Sequence, residues 1–291
     1  MEWTPSDYAA FLERLECLKS WPDPHDAEMH DRILATGKRI IGVRTPDIRN
    51  IVKEIIKDNY NGSRPVLTDH RRQVDPAIDS FLKCARDRKC FDTFETSITY
   101  GLVSAKTKDF ENYKRRMTPF IENADTWAEV DVVVGDSTVL KKLTPEMERW
   151  VFGLTEHTDK PFVIRLGIIS LMKYFTAGKY RRQVLDACSS VPKENYYVRM
   201  AVAWLLAEHY LHAPEEIAEY LSEDFEAYMR NRPSAARSSG THSVMPHLDV
   251  WTHNKAIQKA CESFRVSDSD KSMLKSLRLN DILKGKDNGR Q

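Results

Sequence analysis

Glycine is scarce in this chain, 11 of 291 residues, which argues against a nucleotide-binding α/β enzyme built on glycine-rich phosphate loops. The five cysteines (Cys17, Cys84, Cys90, Cys188, Cys261) are odd in number, far apart and never in a C-x-x-C pair. That pattern fits reduced thiols buried as small hydrophobes better than a disulfide or zinc framework. No run approaches eighteen consecutive apolar residues, so a membrane span is not expected. The first residues, Met1-Glu2-Trp3-Thr4-Pro5, show neither a basic n-region nor an apolar h-region, and a cytoplasmic location follows as the expectation. An excess of one charge is also missing: 44 Lys+Arg face 43 Asp+Glu, a formal net charge of +1. Polyanion binding by bulk basicity is thereby excluded, while a basic face balanced by an acidic one is not. Finally, G-x-x-x-x-G-K-[ST], G-x-S-x-G, H-E-x-x-H and any Cys/His cluster at metal spacing are all absent, so triad and zinc hydrolysis are unsupported.

What the chain does have is apolar residues at three- and four-residue spacing almost throughout. Ile48, Ile51, Val52, Ile55 and Ile56 after Thr45-Pro46-Asp47 read as a capped amphipathic helix. The same pattern predicts helices over 6–19, 25–37, 46–59, 74–87, 91–103, 107–122, 126–142, 145–156, 160–175, 178–188, 194–211, 214–221, 249–263 and 268–279, with no competing period-two alternation. Many short helices without strands indicate an all-α fold, either a helical-repeat solenoid or an irregular bundle. Ala124-Asp125-Thr126-Trp127, Lys160-Pro161-Phe162-Val163 and Glu194-Asn195-Tyr196-Tyr197 each open a helix and lie about 34 to 36 residues apart, a helical-repeat period. We therefore expect a single all-α repeat domain over 1–291, with equivalent helices lining one concave surface. The polar, basic stretch 230–246 reads as a mobile insertion loop and 280–291 as a disordered tail.

Trp127 and Asp131 stand at i and i+4, on one helix face a turn apart. Arg165 is a single cation in an otherwise apolar helix, where a buried guanidinium needs a counter-charge or a phosphate. Trp204 follows 39 residues later, about one repeat on. These side chains read either as a convergent site or as core and a structural ion pair. Candidate phosphate contacts are scattered and include Lys38, Arg44, Arg49, Arg181, Arg199 and Lys255. His209 and His212, beside Glu208, read as a polar helix face rather than ligands.

Several of these segments, in this order, resemble one family. Gly42-Val43-Arg44-Thr45-Pro46-Asp47-Ile48-Arg49, the Trp127-x-x-x-Asp131 helix, the Arg165 and Trp204 helices and Asn254–Val266 are similar to the AlkD-type DNA alkylation repair proteins, which are HEAT-like-repeat DNA glycosylases. The resemblance covers about residues 25–280. It implies a curved HEAT-like solenoid with a basic concave face. It also implies a monofunctional glycosylase that releases cationic N-alkylated purines, such as 7-methylguanine and 3-methyladenine, from double-stranded DNA without flipping the base into a pocket. By the resemblance, Trp127 and Trp204 are the tryptophans and Asp131 the aspartate around the lesion's sugar, and Arg165 contacts the backbone. Arg44, Arg199 and Lys255, inside the resembling motifs, are the favoured further DNA contacts. Where that family carries a second aromatic just before the first tryptophan, this chain has Thr126. No metal or cofactor is implied, and a monomer is expected. The competing expectations are a non-catalytic DNA- or RNA-binding scaffold and a protein-interaction solenoid in which Asp131 and Arg165 form a structural pair.

Overall fold

A computed structural model describes residues 2–20, 32–58, 70–231 and 246–279. The expected insertion loop (from 232 to 245), the expected tail and most of the helix expected over 25–37 lie outside the described residues. Among the described residues the fold is all-helical, and its one β contact is an isolated parallel bridge between Arg39 and Thr93. No helix there is long and apolar enough to cross a membrane. The chain divides into two compact units, Met1–Met147 and Glu148–Gln291.

The first unit contains α1 (Pro5–Cys17), α2 (Thr45–Asp58), α3 (His70–Asp87), α4 (Phe94–Ala105), α5 (Phe110–Asn123) and α6 (Trp127–Asp136). Thr4 starts α1 with a capping box: its hydroxyl accepts from the Asp7 amide while the Asp7 carboxylate accepts from the Thr4 amide at 2.8 Å. α4 is buried on every side, as a helix apolar all round should be. It packs between α2 and α6, with α3 and α5 also against it. Gly101 permits the close approach of α6, since a Cβ there would sit 2.6 Å from the Val133 side chain.

The Gly42–Arg49 motif is fixed by a carboxylate. Glu95, fully buried on α4, accepts backbone N–H bonds from Ile41, Gly42 and Val43 at 2.9, 2.7 and 3.2 Å. Gly42 has φ 99°, a conformation that a side chain would strain. The helix expected over 126–142 is cut in two. Ser137 leaves helical dihedrals (φ −77°, ψ 60°), and a short 3₁₀ turn, Thr138–Lys142, follows. Ser137 Oγ donates to the Val133 carbonyl at 2.9 Å, a side-chain bond of the kind that competes with helix continuation.

Unit two contains most of α7 (Pro145–Thr155), in which the boundary falls, then α8 (Pro161–Tyr174), α9 (Arg181–Ser190), α10 (Tyr196–Tyr210), α11 (Pro214–Arg230), α12 (Val250–Glu262) and α13 (Asp268–Ser276). α10 packs between α8 and α12, with α11 also against α10 and α13 against α12. Helices α6, α8 and α10 begin at residues 127, 161 and 196, the spacing read from the sequence. Arrangement and period are consistent with an all-α helical repeat.

Asp224 and His253, both fully buried, meet at 2.6 Å through Nδ1, and His253 Nε2 lies 2.9 Å from the Leu277 carbonyl. A carbonyl only accepts, so Nε2 carries a proton. The other Asp224 oxygen accepts from the Leu248 amide at 3.1 Å, which holds the start of α12 to α11.

His209 corrects the expectation of a polar face: it is fully buried, with Nδ1 on the Arg181 guanidinium. Burial, reinforced by the Arg181 charge, pushes its pKa down to about 4 from 6.5. Because the folded pKa is depressed, the unfolded chain takes up the proton first. This contribution is full above pH 6.5, falls as pH drops through the 6.5-to-4 window, and is lost below it. We expect roughly 2–4 kcal/mol across that window. His209→Gln, which keeps an acceptor for Arg181, should flatten that part of a stability-versus-pH curve. Parallel curves for the two proteins would contradict the assignment.

Of the cysteines, Cys84, Cys90 and Cys188 are buried as expected, whereas Cys17 is exposed.

Candidate nucleic-acid interface

Helix α6 sorts its acidic residues by face. Glu129 and Asp131 are two positions apart and so point roughly 200° apart around the axis. Glu129 is fully buried, bonded to Lys38 Nζ and accepting from the Asp125 amide at 3.0 Å. Burial raises its pKa, opposed by the Lys38 charge. Lys38 also donates to the Asn123 carbonyl at 2.8 Å, and its side chain is almost wholly covered. It is therefore an interior counter-ion, not a phosphate contact.

Asp131 instead shares its face with Trp127, and both are partly accessible. The Trp127 indole N–H donates to the Ile33 carbonyl at 2.9 Å, the neighbouring Thr126 hydroxyl donates to the Leu34 carbonyl, and Asp125 accepts from the Gly37 amide at 3.0 Å. The start of α6 thus clamps the 33–37 backbone, and the Trp127 ring is held by its own polar edge.

Arg44 is exposed just before α2, where its carbonyl accepts from the Asp47 and Ile48 amides. Arg49 bonds Asp136 at 3.0 Å, and Lys106 bonds the other Asp136 oxygen at 2.8 Å. Those two cations hold the Asp136 carboxyl below the usual carboxylate range, against the effect of burial. Asp136 thereby ties α2 and α4 to the end of α6.

Four of the residues singled out from sequence lie in the second unit, on three successively packed helices: Arg165 on α8, Arg199 and Trp204 on α10, and Lys255 on α12. Arg165 is only 3% exposed, and its Nη1 donates to the Tyr197 carbonyl at 2.8 Å. It pins the first turn of α10 to α8. Arg199 lies over the Trp251 ring, 4.8 Å from its centroid, with Asp249 3.6 Å away. Lys255 approaches the same ring at 5.8 Å and bonds Gln258 at 3.1 Å. Trp204 is 36% exposed, high for an indole on a helix that is otherwise largely buried. Arg181, another candidate cation, is buried against His209 and is unavailable at the surface.

Sequence reading missed the aromatic neighbours. Phe162, Tyr197 and Trp251 are each the second residue of their helices, α8, α10 and α12, and Tyr196 is the first of α10. Their rings form a row: Phe162 to Tyr197 5.3 Å, Tyr197 to Tyr196 5.4 Å and Tyr196 to Trp251 5.6 Å between centroids. Carrying the repeat register from α8 through α10 to α12 would have revealed them.

No family model, curated protein or solved structure matches this chain.

Proposed function

We propose that the chain binds double-stranded DNA and releases cationic N-alkylated purines of the 7-methylguanine and 3-methyladenine type, without flipping the base into a pocket. The observation that carries this reading is the outer face of α6, where Asp131 and Trp127 stand one turn apart and partly accessible while Glu129 is withdrawn onto Lys38. An N-alkylated purine already carries positive charge, so it leaves as a neutral base and needs no strong general acid. Positive charge builds instead on the deoxyribose as the C1′–N bond lengthens. A fixed carboxylate and aromatic faces stabilise such an oxocarbenium-like sugar, and Asp131 orients the water that adds to C1′ and accepts its proton.

In this reading Trp204 is the second sugar-facing aromatic, and Arg44, Arg199 and Lys255 contact phosphates. Arg165 takes the place of the backbone anchor. With its guanidinium on the Tyr197 carbonyl, it acts from beneath the surface by fixing the helix that carries Arg199 and Trp204. The same reading entails a curved solenoid with a basic concave face, acting as a cytoplasmic monomer without metal or cofactor. Binding then weakens steeply with salt, because phosphate contacts release counter-ions.

A non-catalytic DNA- or RNA-binding scaffold is the second reading. It is favoured by the Trp127 hydrogen bond to Ile33, which gives that indole a structural task of its own. Release of free 7-methylguanine from methylated duplex, measured in chelator, separates the two. The glycosylase reading expects release by the folded protein. Binding without release points to the scaffold, and release that requires a divalent ion contradicts the metal-free mechanism.

A further inference from the structure

The row of rings across α8, α10 and α12 has no task in the reading above. Phe162, Tyr197, Tyr196 and Trp251 are all partly exposed, Tyr196 by 49%. Aromatic rings of a helical core are normally covered, and a contiguous exposed apolar row rimmed by charge marks a binding surface. Here the rim is cationic. The Arg199 guanidinium is stacked on Trp251, and its Nε is covered without a hydrogen-bond partner among the described residues. Lys255 stands one turn along α12 from Trp251. Nearby acidic groups are Asp249, 3.6 Å from Arg199 and engaged in capping α12, and Glu194, exposed beside Asn195.

We propose that this row is a stacking platform for an unpaired stretch of DNA, with nucleobases lying on Tyr196 and Trp251 and their phosphates facing Arg199 and Lys255. The proposal rests on the DNA-binding part of the proposed function but not on its catalytic part. Three features favour single-stranded DNA as the occupant. The four partly exposed rings adjoin one another in tilted and edge-to-face contacts, with centroids 5.3–5.6 Å apart, and every base has a face to stack on an aromatic ring. Cations flank the rings on α10 and α12, as a phosphate backbone requires. The rings also occur at the starts of successive helices, so the surface is extended, like a strand, rather than closed like a pocket.

The test is fluorescence titration of the full chain with a decathymidylate strand and with a fully paired duplex of matched length, using wild type, Tyr196→Ala, Tyr196→Phe and Trp251→Leu. Stacking is worth about 1–3 kcal/mol per base, or roughly 5- to 150-fold in affinity. Tyr196→Ala should lose about 10-fold or more for decathymidylate and leave duplex affinity unchanged, and Tyr196→Phe should restore binding. Trp251→Leu should weaken the strand at least as much as Tyr196→Ala. Unchanged affinity in Tyr196→Ala, equal losses in Ala and Phe variants, or no binding of decathymidylate by wild type would overturn the platform. Base release from fully paired methylated duplex is read separately. A protein that binds the strand but releases nothing keeps the platform and loses the glycosylase, and the reverse result does the opposite.

Discussion

Asp131→Asn should reduce release of 7-methylguanine from methylated duplex by on the order of 10²–10³-fold while leaving helicity, melting temperature and duplex affinity close to wild type. The substitution is nearly isosteric and removes only charge. Asp131 is partly accessible, whereas Glu129 is fully buried against Lys38, where neutralisation would strand a covered cation. The loss should fall on the chemical step, because the carboxylate is asked to stabilise charge that exists only as the glycosidic bond breaks. An effect confined to DNA affinity would place Asp131 in binding, and a melting temperature lowered by many degrees would make it a structural ion-pair partner. Trp127 is a less clean probe. Removing its indole also removes the hydrogen bond to Ile33, so activity and fold change together.

Glu95→Ala should produce the largest loss of stability. Three buried amides, those of Ile41, Gly42 and Val43, have this carboxylate as acceptor. Leaving a buried donor unsatisfied costs about 1–3 kcal/mol, and the total here should be about 3–6 kcal/mol. That is a large share of the roughly 5–15 kcal/mol by which a native protein is stable. Glu95→Gln retains one oxygen but turns an NH₂ toward the same donors, and should fall between alanine and wild type. Urea unfolding checks this through the midpoint at constant slope. A loss below about 1 kcal/mol for the alanine variant would show that the 41–43 backbone is held by something else. The functional consequence is local: Arg44 follows directly, and loosening its backbone should weaken duplex binding even where the protein remains folded.

Helix positions were legible because the apolar spacing is dense and the breaks carry chemistry. Pro5, Pro161 and Pro214 each sit in a first helical turn, and Asn195 and Asp249 cap α10 and α12 through their side chains. Two elements were misread for physical reasons. The division at Ser137 depends on its bond back to Val133 and on a hydroxyl contact from Tyr113 at 2.9 Å, neither visible in apolar periodicity. α11 runs to Arg230, beyond the expected 221, because the stretch Ser222–Glu226, polar except for Phe225, hides Asp224, whose buried pairing with His253 makes it part of the inner stripe.

The candidate site was legible only in part. Trp127 and Asp131 share a face because helical geometry demands it, and the 34-residue period put Arg165, Arg199 and Trp204 on neighbouring helices. What sequence could not supply was the fate of each cation. Lys38 and Arg181 are interior partners of Glu129 and His209, Arg49 is drawn to Asp136, and Arg199 and Lys255 gather on Trp251. Lysines and arginines look alike in a charge count, and only their contacts separate a structural ion from one that faces a phosphate.

The most direct measurement is the intact mass of a DNA strand carrying one 7-methylguanine, annealed in a duplex and held with excess wild-type protein for a single turnover. The account predicts that the strand loses one 7-methylguanine and gains one water, while an unmodified duplex is unchanged. A lesion strand that keeps its mass although the duplex is bound would contradict it.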